Sequence, residues 1–141
     1  MTGYRACYRK LNKYKYQLVQ SYITELEIRP TVRIEEKYFA LSTSGELVIK
    51  DGYAWDGASW CPDVRCIMRG ALVHDVLYQM LRMSLLPQTS RDTSDRVLQR
   101  ICIEDGMAPL VARGVYLAVH KFGKQAARPT AAPQDELVYV P

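Results

Sequence analysis

The chain has 141 residues, 48% of them hydrophobic and 24% charged, a globular composition of single-domain length. The net charge is +4, and no apolar run is long enough to cross a bilayer, so a membrane-spanning helix is excluded as an expectation. The N-terminus has no apolar core of the signal-peptide kind, and the product is expected to start in a cytoplasm and stay there unless exported or released. Without a secretory signal, Cys7, Cys61, Cys66 and Cys102 are expected as free thiols. The spacing of Cys61 and Cys66 is not a standard zinc spacing, although His74 as a third ligand would build a metal site from them.

In chain order, residues 1–12 give no firm signal beyond a cluster of tyrosines and cations. Residues 14–22 are rich in β-formers and read as a strand. Residues 25–29 (Glu-Leu-Glu-Ile-Arg) alternate cleanly and read as a second, broken by Pro30. Residues 38–42 and 47–50 read as two more, joined by a Ser44-Gly45 turn. The first fifty residues are thus a small antiparallel meander. Residues 51–66 read as a functional loop holding two tryptophans and two glycines.

Three helices follow, which makes the fold class α+β. The first is expected at about Val64–Met83 with Asp63 as N-cap, and the second at about Arg91–Glu104 between Ser90 as N-cap and Gly106 as stop. The third starts at Pro109 and ends at Phe122 before Gly123. A single domain spans residues 1–123, and residues 124–141 form a tail rich in Pro and Ala.

The chemistry concentrates in the first two helices. On a helical period Ile67, Ala71, His74, Tyr78 and Leu81 share one stripe, the face a helix buries. Asp75 lies near the edge of that stripe. On the second helix Asp95 falls on the same face as Leu98, Ile101 and Cys102, and a carboxylate facing a core needs a partner. The short connection at residues 84–90 makes the two helices antiparallel neighbours, so His74 is the expected partner. A carboxylate on one ring nitrogen fixes the tautomer and leaves the other nitrogen as a base. Tyr78 can hold Asp95 in place. Asp75, the Asp56 carboxylate and the loop carbonyls, Trp55 and Gly57 among them, offer hard oxygen ligands that suit calcium. The same His–Asp–Tyr group is equally readable as a satisfied buried polar network with no chemistry.

His74-Asp75-x-x-Tyr78, preceded by Asp56-Gly57-Ala58-Ser59 and followed by Asp95 and the closing stretch Tyr116–Gly123, resembles the phospholipase A2 superfamily, its shorter bacterial and fungal forms above all. The resemblance covers about residues 52–123. It implies hydrolysis of a phospholipid ester with His74 as general base, Asp95 orienting it, Tyr78 supporting, and calcium bound through Asp75, Asp56 and loop carbonyls. Over most of its length the chain also resembles a family of short proteins from tailed phages and prophages. The shared pieces are Tyr14-Lys15-Tyr16, Asp56–Ser59, Ala71–Tyr78, Ser90-Arg91 with Asp95, and Ala118–Gly123. That likeness implies a phage setting, with other virion proteins as partners and incorporation into a virion as one fate.

Two functions are therefore carried forward: a calcium-dependent, phospholipase A2-like hydrolase working at a phospholipid surface, and a non-catalytic tail, baseplate or accessory protein using the same fold as an interaction module. Nucleic acid is not an expected partner, because the second helix mixes Arg91, Arg96 and Arg100 with Asp92, Asp95, Glu104 and Asp105.

Overall fold

The computed structural model describes residues 5–12, 15–55 and 65–129. They form an α+β fold, antiparallel strands followed by three helices. Contacts divide the chain into two compact units, the strands in one and the helices in the other.

The N-terminal unit holds β1 (Tyr8–Asn12), β2 (Lys15–Leu18), β3 (Tyr22–Glu25), β4 (Ile34–Glu35), β5 (Phe39–Leu41), β6 (Glu46–Ile49) and β7 (Ala54–Trp55). They build two antiparallel sheets with the strand orders β1-β2-β7 and β3-β6-β5-β4. The single meander expected from the sequence is thus divided. The stretch read as one strand over 14–22 bends at Val19 and Gln20, both exposed, and the chain passes from the first sheet to the second. Residues 25–29 keep their alternation, with Leu26 and Ile28 buried between exposed Glu25, Glu27 and Arg29. The ladder nevertheless ends at Glu25, because its partner β6 begins at Glu46. Leu18, Phe39, Leu41, Leu47, Ile49 and Tyr53 are almost fully buried in this unit.

The helical unit consists of α1 (Arg65–Arg82), α2 (Arg91–Glu104) and α3 (Pro109–Phe122). A 3-10 turn at Gln88–Ser90 runs straight into α2. Ser90 therefore does not cap the helix: its backbone is already helical and its side chain makes no cap bond. Its carbonyl instead accepts from the Ser94 hydroxyl at 2.8 Å. Gly106 ends α2 as expected, with φ at 104°.

α1 and α2 run antiparallel, pinned along their length. At one end Arg69, only 5% exposed, donates to Glu104 at 2.8 Å and to Asp105 at 3.0 Å. Burial there pushes the Glu104 carboxyl up, but hydrogen bonds from Arg69 and Arg100 win and hold it below its ordinary value. The next residue, Gly70, lets α2 come close: a Cβ there would lie 2.9 Å from the Leu98 side chain. Ile67, Ala71, Leu98 and Cys102 form one apolar cluster with Ala112 and Val119 of α3. That packing fixes the register at which His74 meets Asp95.

Candidate active site

Asp95 is the centre of the site and is fully buried. Its Oδ1 accepts two hydrogen bonds from α1, from His74 Nε2 at 2.8 Å and from the Tyr78 hydroxyl at 2.7 Å. The two rings lie one turn apart, 4.2 Å between centroids. The structure thus brings together all three residues that the sequence reading placed in a polar group. Burial, and next the bond to Asp95, push the Tyr78 phenol well above its ordinary value, so it remains a donor.

With Asp95 accepting, the proton sits on Nε2 of His74 and Nδ1 presents its lone pair. Among the described residues Nδ1 has no hydrogen-bond partner. His74 lines a cleft of about 290 Å³ whose polar wall also holds Asp75, Tyr78 and Arg82. Val119, Phe122, Gly123 and Ala126 supply much of the opposite, mainly apolar wall.

Gly123 is shaped by this cleft. The sequence marks it as a helix stop, yet its φ is −84°, open to any residue. The requirement for glycine is space: a Cβ there would sit 2.5 Å from the Tyr78 hydroxyl.

The second oxygen of Asp95 faces residues that sequence reading did not single out. Oδ2 lies 3.3 Å from His120 Nδ1 and 3.6 Å from Arg91. Arg91 also donates to the His120 carbonyl at 3.0 Å, tying α2 to α3. His120 stacks on Tyr116, and the Tyr116 hydroxyl donates to Asp92. That bond, and next one from Arg96, hold the Asp92 carboxyl below its ordinary range. The available signal was spacing: Tyr116 and His120 are one turn apart on α3, as are Asp92 and Asp95 on α2.

Of the expected calcium ligands, two lie among the described residues. Asp75 lines the cleft, whereas Trp55 is a buried strand residue of the N-terminal unit, paired with Tyr16. Asp56 and Gly57 lie outside the described residues, as do Ser59, Cys61 and the Asp63 cap. Among the described residues no group of three or more His, Cys, Asp or Glu side chains is placed to hold a metal ion. Cys7, Cys66 and Cys102 are free thiols.

Compared with family models, curated proteins and solved structures, the chain finds no match.

Proposed function

We propose that this protein is a carboxylic ester hydrolase of the phospholipase A2-like kind, working through His74. The observation that carries this reading is the division of labour between the two ring nitrogens. Nε2 is held by a buried carboxylate, which leaves Nδ1 for a water, and the ring lines a cleft large enough for part of an acyl ester. A water at Nδ1 would lose its proton to His74 while its oxygen attacks the ester carbonyl carbon. Asp95 would balance the imidazolium that forms, and His74 would return the proton to the departing alkoxide. Tyr78 keeps Asp95 facing His74 throughout.

The test is release of fatty acid from short-chain phospholipids and simple esters, with and without calcium, by wild type and His74→Ala. Turnover falling by about 10²–10⁴-fold in the variant, with an unchanged circular dichroism spectrum, supports the general base. Equal turnover in both proteins, or none from folded wild type on any ester, rejects it. Turnover that collapses with chelator would place calcium back in the site.

A second reading, the non-catalytic virion or accessory component, is favoured by the outer face of α3. Leu110 is 82% exposed and Phe122 is 73% exposed, with Val111 and Leu117 also out in solvent. Apolar side chains gathered on one helix are a common mark of an interaction surface.

A further inference from the structure

We infer that the outer face of α3 is the contact by which two copies of this chain pair, antiparallel, around Gly114. Pairing is independent of ester hydrolysis and gives the apolar face of α3 an occupant.

α3 is apolar on more sides than this chain covers. Ala112, Tyr116 and Val119 turn inward, while Leu110, Val111 and Leu117 stay exposed. A helix that is apolar all round is ordinarily buried all round. Leu110, Gly114, Leu117 and Lys121 recur at intervals of four, three and four residues, so they form one stripe along the outer face, and all four are exposed. That is the spacing of a coiled-coil seam, with a leucine at every second position.

Gly114 is the odd member of the stripe. Its backbone is ordinary helix, and nothing lies within 4 Å of the place a Cβ would take. Neither a turn nor packing among the described residues calls for glycine there, and a glycine inside a helix lowers its stability. What the glycine leaves is a notch between two leucines.

A notch and a knob on one stripe complement each other across a two-fold axis. With two copies of α3 antiparallel, Leu117 of each enters the notch at Gly114 of the other, and Leu110 lies along the aliphatic stem of Lys121 of the other. Charge sets the direction. Parallel helices would oppose Lys121 to Lys121. In the antiparallel pair each Lys121 approaches the end of α3 that follows Glu104 and Asp105, and α3 itself has no Asp or Glu to offer. An anionic lipid surface would also suit Arg113 and Lys121, but a fluid bilayer takes an apolar ridge and has no use for a notch. The seam spans one short helix, so the pair is expected to dissociate on dilution.

The test is sedimentation velocity of the full chain over a dilution series, on wild type, Leu117→Glu, Gly114→Leu and Lys121→Glu, with melting temperatures taken at the lowest concentration. Wild type is expected to pass from monomer to dimer as concentration rises. Leu117→Glu should weaken the dimer at least about tenfold. Gly114→Leu separates a fitted seam from plain stickiness. It fills the notch, so the dimer should weaken by a similar factor, while the monomer melts no lower, because leucine is the better helix former and has open space around it. Equal or tighter association of Gly114→Leu overturns the fitted seam. Lys121→Glu would face Glu104 and Asp105 and should also weaken the dimer; unchanged pairing overturns the antiparallel direction. If Leu117→Glu fails to fold, Gly114→Leu decides alone. Wild type that stays monomeric throughout overturns the proposal, and flotation of that monomer with phosphatidylglycerol vesicles would assign the face to lipid.

Discussion

At the scale of single residues, the site is governed by what one buried carboxylate demands. Asp95 has no solvent to satisfy it, so each oxygen must be met by donors from the protein itself. His74 and Tyr78 meet one oxygen, and His120 and Arg91 approach the other. Tyr78 carries a pH consequence. Burial, and next Asp95, raise its folded-state pKa above the unfolded value of about 10, so the folded protein retains a proton that the unfolded chain releases. The associated stability is present below that value and falls as pH rises beyond it. Chemical denaturation measured across alkaline pH should show stability dropping more steeply in wild type than in Tyr78→Phe. Identical slopes would mean that Tyr78 ionises freely in the folded state.

At the scale of elements, two glycines place α1 against its neighbours, and their substitutions should differ. Gly70 sits mid-helix, where alanine gains about 1 kcal/mol of helix propensity. Its Cβ would meet the flexible end of Leu98, so the gain and the crowding roughly cancel in Gly70→Ala. Gly123 has no such relief. Its Cβ would meet the Tyr78 hydroxyl and the Val119 carbonyl, both fixed by hydrogen bonds. Gly123→Ala is expected to cost about 1–3 kcal/mol by overpacking and, on the hydrolase reading, to lower turnover by displacing Tyr78. Adding Tyr78→Phe should recover part of that stability. Thermal melts of the three variants check it, and a neutral Gly123→Ala would show that α3 can withdraw without loss.

At the scale of the whole molecule, the helical unit keeps its polar network inside and leaves leucines outside. Val119 and Ala112 of α3 face the core, while Leu110 and Leu117 face solvent. The double variant Leu110→Glu, Leu117→Glu should change stability by less than about 0.5 kcal/mol each, because neither residue is buried. It should sharply reduce binding of a hydrophobic dye and any self-association seen by light scattering. Unchanged dye binding would deny that this face is a sticky surface. Unchanged ester turnover in the same variant would separate that surface from the cleft.

The helices were legible from residue order because their causes are local. Apolar spacing, Pro109 at a first turn and Gly106 past a last turn act within a few residues, and the observed limits of α2 and α3 follow them. The facing of His74 and Asp95 was legible for a related reason: both lie on apolar stripes, and a short link makes adjacent helices antiparallel. The division of the strands into two sheets was not readable, since β7 has two residues and a bend at Val19 leaves no periodic trace. Nor was Gly123 readable as a spacer, or His120 as a neighbour of Asp95, whereas Arg91, four residues before Asp95 on α2, was within reach of spacing alone. Local order says which way a side chain leans on its own helix. Only the packing of α3 against α1 and α2 decides which side chains from distant stretches compete for the same few ångströms around one buried charge.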